Sequence, residues 1–287
     1  MKLLVTGASG AIGRAIRRRA LSTPGVDLIE LVGPHRPAST RVIPIDVADG
    51  AALREAIVEA SPDSIIHLAG LSGTAAADNL ARTRAVNVES VRTIMDAANE
   101  LGVGRVILSS SSAVYGDRRR EPFSEHASLD PRSHYAESKV AAEDLMAVLA
   151  EREGSALALR TFNVYGPAFA NSLVNKLVAA TPESPARLNG LDTFVRDYIH
   201  VDDVVSAMFA GLEATLDRPF TVVNVGSGVP TSNRRLVDLM SVRGELHYQV
   251  GPELASYSCA NITVGAGLLG LRAERVPGMS EPEELHG

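Results

Sequence analysis

Tyr135 and Lys139 stand four residues apart in the stretch YAESK, and on a helix that spacing puts a phenol and an ammonium on one face. A free phenol has a pKa near ~10 and is a poor base at neutral pH. One positive charge about 4 Å away, at an effective dielectric near 20, supplies ~4 kcal/mol, or about three pKa units. The pair therefore suits acid–base work on an oxygen that alternates between alcohol and carbonyl. Upstream, the run Ser109–Ser112 ends an apolar stretch and offers hydroxyls that can hydrogen-bond such an oxygen in both states. The same spacing also describes a solvent-facing pair worth a few tenths of a kcal/mol, and a serine run also describes an ordinary strand end.

A second device lies at the N-terminus. LLVTGASGAIGRAI sets Gly7, Gly10 and Gly13 where a first strand turns into a first helix. Gly7 permits the turn, Gly10 lets backbone approach a ligand, and Gly13 lets the helix pack close to the sheet. The start of that helix then presents N–H groups and a positive dipole end to a pyrophosphate. Placement in the first strand–turn–helix points to a dinucleotide.

These groups need a scaffold, and the hydrophobic pattern supplies one. KLLVTG, DLIELV, RVIPID, SIIHLAG, GRVILSS, SALALRTFN and FTVVNVG read as strands buried on both faces. GRAIRRRALS, AALREAIVEA, NLARTRAVNVESVRTIMDAANELG and YAESKVAAEDLMAVLAERE alternate with them and have helical periodicity. In the third of these, Ala85, Val88, Val91, Ile94, Met95 and Ala98 fall on one stripe. The alternation predicts right-handed βαβ units and an α/β fold, a Rossmann-type doubly wound parallel sheet with a smaller, discontinuous C-terminal substrate lobe. Residues 1–166 and 199–227 are expected in the sheet domain, and 167–198 and 228–287 in the lobe.

Composition narrows the function classes. The chain has 287 residues, 45% hydrophobic and 22% charged, enough for one large domain or two modest ones. A net charge of −6 argues against nucleic acid as the main partner, and the RRR runs at 17–19 and 118–120 read as solvated faces. One cysteine, Cys259, rules out an internal disulfide framework and fits a reducing, cytoplasmic setting. No apolar run approaches the ~20 residues of a membrane span. The seven histidines show no HxxH or HExxH pairing, so no metal site is expected.

Thr6–Gly13 reads T-G-x-x-G-x-x-G, which resembles the signature of the extended short-chain dehydrogenases/reductases, a family that includes nucleotide-sugar epimerases and dehydratases. IDV at 45–47, HLAG at 67–70, AVNVES, SSSSAVYG, YAESK, RTFNVYGP, RDYIHVDDV and NVGSG are similar to its landmarks in order. The likeness covers residues 1 to about 228 and is loose beyond. It implies NAD(P) held by Gly7, Ser9, Gly10, Ala11, Ile12 and Gly13, by Asp46 and Val47 at the adenine, and by Leu68, Ala69 and Gly70 beside the ribose. Asn87, Ser109, Tyr135, Lys139 and Phe162 complete that set. The catalytic set implied is Ser111, Tyr135 and Lys139, with tyrosinate taking a sugar hydroxyl's proton while hydride leaves the same carbon. Substrate binding by implication falls to Ser111, Asn163, Asn171 and Arg196. Read without the family, Asn163 is also a turn residue and Arg196 also a surface partner of Asp197.

The activity implied is nucleotide-sugar epimerisation. NADPH-dependent 4-keto reduction and non-catalytic dinucleotide sensing remain as alternatives. The helices at 78–101 and 134–153 resemble the pair that forms a four-helix homodimer interface, with Val140, Leu145 and Val148 as spare apolar residues. Departures from the family carry information too. Its dehydratases have an acidic pair where this chain has Ser112 and Ala113, so 4,6-dehydration is not expected. The second strand ends in Val32 and Gly33 rather than an acid, and Arg36 just beyond tips the expected cofactor towards NADP, unless it is a solvated loop residue. Asp202 and Asp203 are expected to cap the helix VVSAMFAGLEA. No arginine occurs from Glu245 to Leu271, where the family places a second phosphate-binding arginine.

Overall fold

The computed structural model describes residues 1–152, 155–242, 244–275 and 277. The last residue of the helix expected at 134–153, and positions 243, 276 and 278–287 of the expected lobe, lie outside the described residues. Contacts divide the chain into two compact units. The first comprises Met1–Val114, Leu129–Arg160 and Met208–Val223, and the second Tyr115–Ser128, Thr161–Ala207 and Asn224–Gly287. Tyr115–Ser128 and residues 161–166, 199–207 and 224–227 thus group with the second unit, whereas the sequence assigned them to the sheet domain.

All of the apolar runs became strands of one sheet: β1 (Lys2–Thr6), β2 (Asp27–Val32), β3 (Val42–Pro44), β4 (Ser64–His67), β5 (Arg105–Ser111), β6 (Ala156–Thr161) and β7 (Phe220–Val225). The seven strands lie in the order β7-β6-β5-β4-β1-β2-β3. β1 pairs in parallel with both β2 and β4, so the chain leaves β1 in one direction and returns on its other side. Such a reversal opens a crevice at the carboxyl ends of the two strands, the usual ligand position in sheets of this kind. Every residue of β4 and β6 is buried, which explains their near-continuous apolar sequence.

Helices α1 (Ala11–Leu21), α2 (Gly50–Ala60), α3 (Ser90–Leu101) and α4 (His134–Leu149) flank the sheet. Leu53, Ile57, Val91, Ile94, Met95, Ala142 and Met146 from the last three join Leu4, Ile65, Val106 and Ala158 of the strands in one core. Each large side chain buried there contributes ~1.5–3 kcal/mol. The single helix expected over 79–102 is instead interrupted: Leu80–Arg84 is α-helical, Ala85–Glu89 is a π turn, and α3 follows. The extra residue of the π turn brings Val86, Asn87 and Val88 inside consecutively and leaves Ala85 only half-buried. A 3.6-residue period cannot register one inserted residue.

The second unit is built from short pieces. Asn163–Tyr165 pairs in parallel with Tyr198–His200, and Phe194–Arg196 lies between Thr231–Ser232 and Ser256–Ser258. Its core gathers Tyr165, Val174, Leu177, Leu188, Tyr198, Leu236 and Met240. The helix α5 (Val201–Glu213) starts ahead of Asp202 and Asp203, so both lie in its first turn rather than capping it. There they meet Arg275, at 3.5 Å from Asp202 Oδ2 and 3.3 Å from Asp203 Oδ1. Among the described residues, no helix is long and apolar enough to cross a membrane.

Candidate active site

β1 ends at Thr6 and the chain turns at Gly7, whose φ of 68° lies in the left-handed region. A Cβ on Gly7 would stand 2.7 Å from the backbone nitrogen of Ala69, so the turn lies directly against the end of β4. At Gly13 a Cβ would meet the Ala8 carbonyl oxygen at 2.4 Å, which seats α1 hard on the turn. Gly10 is different: a Cβ there would meet only the Gly7 oxygen, at 3.2 Å. Gly10 is also the N-cap of α1, with no side-chain capping bond. The first N–H groups of α1, at Ala11, Ile12 and Gly13, therefore face a cradle open to an anionic ligand. Ser9 anchors the rim, its carbonyl accepting from Arg14 Nη1 at 2.8 Å.

A buried relay fixes the other wall. Ser90 Oγ donates to the Val86 carbonyl at 2.6 Å, which uses its only proton. It therefore accepts from His67 Nε2, 3.0 Å away, and His67 Nδ1 accepts from Thr6 Oγ1 at 2.6 Å. Thr6 Oγ1 in turn accepts the Ala69 N–H at 3.3 Å. Burial, and then the charge of Lys139, depress the His67 pKa to about 3, so the ring is neutral. Through this chain α3 holds the Leu68–Gly70 segment against Gly7.

Asn87, turned inward by the π turn, clamps the next residue. Its Oδ1 accepts the Leu71 N–H at 2.8 Å and its Nδ2 donates to the Leu71 carbonyl at 3.0 Å and to Ser138 Oγ at 2.8 Å. Ser138 donates on to the Tyr135 carbonyl at 2.7 Å, tying α4 to the same loop. A Cβ on Gly70 would lie 3.4 Å from Asn87 Oδ1 and 3.5 Å from Lys139 Nζ, so loop, asparagine and lysine converge on one spot.

Tyr135 and Lys139 sit on the first two turns of α4, whose N-cap Ser133 accepts from the Ala136 N–H. Ser111, at the end of β5, lies beside the Tyr135 side chain and draws its pKa down. Lys139 Nζ donates to the Ser109 carbonyl at 2.8 Å and lies 5.8 Å from the centre of the Tyr135 ring. Strand end, phenol and ammonium are thus brought together as the spacing suggested. Their electrostatics differ from that expectation. Burial pushes the Tyr135 pKa up, with the Ser111 hydroxyl opposing it. Burial likewise lowers Lys139 to about 8, with the Glu143 carboxylate opposing it. Desolvation of the phenolate prevails, so in the ligand-free protein Tyr135 is a protonated phenol.

Other expected residues are less engaged. Arg36 is on an exposed turn beyond β2, where its N–H bonds the Gly33 carbonyl at 3.0 Å. Asp46 Oδ1 accepts from the Ala48 N–H at 3.0 Å and from Arg82 Nη2 at 2.7 Å, and Arg82 holds its pKa below the usual carboxylate value. Val47 packs against the core.

Phe162, Asn163, Asn171 and Arg196 belong to the second unit. Phe162 stacks on Tyr115, with ring centroids 6.4 Å apart. Asn163 Nδ2 donates to the Asp197 carbonyl at 3.1 Å, and Asn171 is an exposed turn residue. Arg196 stacks on Phe194 at 3.7 Å and donates to Ser256 Oγ at 2.7 Å. It is not a surface partner of Asp197, which is fully buried and accepts N–H groups from Ser227, Gly228 and Ala260.

The sequence reading missed Arg82, Ser138 and His67, together with one buried ion pair. Glu143 receives Arg160 Nη2 at 2.5 Å, with side chains 4% and 6% exposed, and Ser110 Oγ donates to the same carboxylate. A signal existed for that pair: an arginine inside the apolar run SALALRTFN must find a counter-charge if the run is buried.

Comparison with known proteins agrees with this architecture. Residues 3–226 match the model of the NAD dependent epimerase/dehydratase family. The chain is 33% identical to a dTDP-glucose 4,6-dehydratase of Streptomyces griseus, over 83% of this chain and 77% of that one. It is also 33% identical to a UDP-glucose 4-epimerase of Mycolicibacterium smegmatis, over 82% and 80%. Among solved structures it resembles MoeE5 in complex with UDP-glucose and NAD, with 28% identity, a TM-score of 0.82, and 96% and 94% of the chains covered. A glycine turn at the sheet's reversal point, a hydroxyl–phenol–ammonium cluster beside it, and a family match spanning both make the chain a member of the NAD dependent epimerase/dehydratase family.

Proposed function

We propose that this protein is an NAD-dependent nucleotide-sugar epimerase acting by hydride transfer at a sugar carbon. The observation that carries this reading is the convergence of Ser111, at the carboxyl end of β5, and Lys139 on the Tyr135 phenol. The open cradle at Gly10, the Asn87-clamped loop and the Lys139 ammonium fit a dinucleotide, held by the residues from Gly7 to Gly13, Leu68–Gly70, Asn87, Ser109, Tyr135 and Lys139. Asp46, Val47 and Phe162 are assigned to the same ligand through the family likeness. Bound NAD supplies the acceptor and donor of the hydride.

The protein's own part is proton handling and orientation. Ser111 holds the reacting oxygen through its alcohol and carbonyl states. In its ionised form, which the Lys139 ammonium stabilises, Tyr135 takes the hydroxyl proton, and as the phenol it returns it. The first unit is the cofactor domain on this reading and the second the substrate lobe, where Asn163, Asn171 and Arg196 meet the nucleotide diphosphate.

NAD is favoured over NADP because MoeE5, at 28% identity, was solved with NAD, and Arg36 on its exposed turn is the one feature inclined to NADP. Epimerisation is favoured over 4,6-dehydration because Ser112 and Ala113 follow Ser111 on a single turn and carry no acid, although one relative at 33% identity is a dehydratase. A homodimer through the helices at 78–101 and 134–149 fits Leu80 at 50% and Val148 at 80% exposure, whereas Leu145 packs into the core. Light scattering reads the assembly directly.

The test of the reaction is incubation with NAD and UDP-glucose, UDP-glucuronate or dTDP-glucose, followed by proton NMR. A C4 epimer without net NADH accumulation is the expected result. A 4-keto-6-deoxy product, or stoichiometric NADPH consumption with a 4-keto sugar, replaces it with dehydration or reduction.

A further inference from the structure

Three consecutive serines end β5, and each meets α4 at a different residue. The Ser109 carbonyl accepts from Lys139 Nζ at 2.8 Å, and Ser111 lies beside Tyr135. Between them, Ser110 Oγ donates to Glu143 Oε1.

Ser110 is 1% exposed, at the end of the wholly apolar, buried run Val106–Leu108. A hydroxyl buried there costs free energy unless it is hydrogen-bonded, and a valine would suit the strand better. The partner it meets is an ion. Glu143 is itself held by Arg160 of β6, with Nε at 3.0 and 3.1 Å from its two oxygens and Nη2 at 2.5 Å from Oε2. β6 is the neighbour of β5 in the sheet. One carboxylate on α4 therefore grips two adjacent strands, through a guanidinium on one and a hydroxyl on the other. Hydrogen bonds to a buried, ionised carboxylate are about twice as strong as neutral ones.

This clip sits where register matters to the chemistry. A shift of the β5 tip against α4 moves Ser111 relative to Tyr135. Both side chains must reach one reacting oxygen, and a misplacement of about 1 Å costs on the order of a hundredfold in rate. Lys139 reaches Ser109 on a flexible four-carbon stem, whereas Glu143 is pinned by Arg160 and is the stiffer anchor.

We propose that Ser110 is a positioning residue: by tying β5 to the Glu143–Arg160 pair it sets the spacing at which Ser111 and Tyr135 share the reacting oxygen. It acts through Ser111 and needs no contact with sugar or cofactor. The proposal rests on the epimerase reading and names what holds the geometry of that site.

The experiment compares Ser110→Ala and Ser110→Thr with the wild type, alone and on a Ser111→Ala background, in the full chain. Initial rates with the accepted nucleotide sugar give kcat and KM, and calorimetry gives NAD affinity. A crystal structure of Ser110→Ala gives the Ser111–Tyr135 distance. Expected is a kcat about tenfold lower in Ser110→Ala, with KM and NAD affinity within about twofold of wild type. Ser110→Thr, which keeps the donor, should recover most of the loss. On the Ser111→Ala background, removing the Ser110 hydroxyl should change kcat by less than about twofold. A loss that multiplies with Ser111→Ala, or that threonine fails to recover, overturns the proposal, and so does a wild-type kcat in Ser110→Ala. Urea denaturation reports folding, and Ser110→Cys, close in size but a weak donor, replaces the alanine variant if that one unfolds.

A wild type that turns over no nucleotide sugar removes the epimerase, and the structure then decides this proposal alone. Ser111 displaced from Tyr135 by about 0.5 Å or more in Ser110→Ala upholds the positioning role, and an unmoved Ser111 overturns it. An active enzyme whose rate ignores Ser110 keeps the epimerase and loses the clip.

Discussion

Lys139 and Glu143 are buried one helical turn apart on α4, the lysine 4% and the glutamate 3% exposed, and with Tyr135 they form a line at i, i+4 and i+8. Burial disfavours the ammonium and the carboxylate favours it, and burial prevails. The site therefore holds a cation that its surroundings barely support, which is how stability is exchanged for function at active sites.

That exchange can be measured. A folded-state pKa near 8, against 10.5 for the free group, means the unfolded chain binds more protons between those values, so stability rises with pH across that window. Lys139→Met should stabilise the ligand-free protein at neutral pH by up to about 3 kcal/mol while abolishing turnover. The advantage should shrink as pH rises from 8 towards 10.5. Urea denaturation of both proteins across pH checks this, and a destabilised variant contradicts it.

His67 makes the opposite prediction in acid. Its pKa falls from 6.5 to about 3 because the ring is buried neutral between Thr6 and Ser90. Stability is fully present above the unfolded value and is lost as pH falls from 6.5 towards 3. The loss attributable to this residue is on the order of 4–5 kcal/mol. His67→Asn should lower stability at neutral pH and flatten this acid limb, which thermal melts at several pH values would reveal. An unchanged limb removes the assignment.

Glu143 and Arg160 form the buried pair behind the lysine. Glu143→Gln removes the carboxylate that receives the buried Arg160 and should cost ~3–5 kcal/mol, whereas replacing both by apolar residues of similar volume should recover most of it. Glu143→Gln should also lower the Lys139 pKa further and move the alkaline edge of activity down. Chemical denaturation and a pH–rate profile test the two halves separately.

The parallel sheet was legible because its central strands are buried on both faces and leave apolar runs, from Leu3–Val5 to Ala156–Leu159. Gly7 and Gly13 were legible because close backbone approach permits nothing larger. The π turn at Asn87 was hidden because one inserted residue shifts the helical phase without changing composition. Arg82 was hidden because its partner Asp46 is thirty-six positions away, and pairing across that distance is a property of the fold. The upward shift of Tyr135 in the ligand-free protein was hidden because a spacing argument counts the neighbouring cation and omits desolvation. The arginines at 118–120 were set aside as solvated because a charge run by itself does not say that it borders a cavity.

Everything in the proposed reaction passes through the Tyr135 hydroxyl, so Tyr135→Phe tests it most directly. Calorimetric titration with NAD and initial rates with the accepted nucleotide sugar should be run on the same preparation. NAD affinity close to wild type with turnover reduced by at least about a hundredfold is the expected outcome. Turnover within a few-fold of wild type, with NAD still bound, would contradict a phenol that carries the proton.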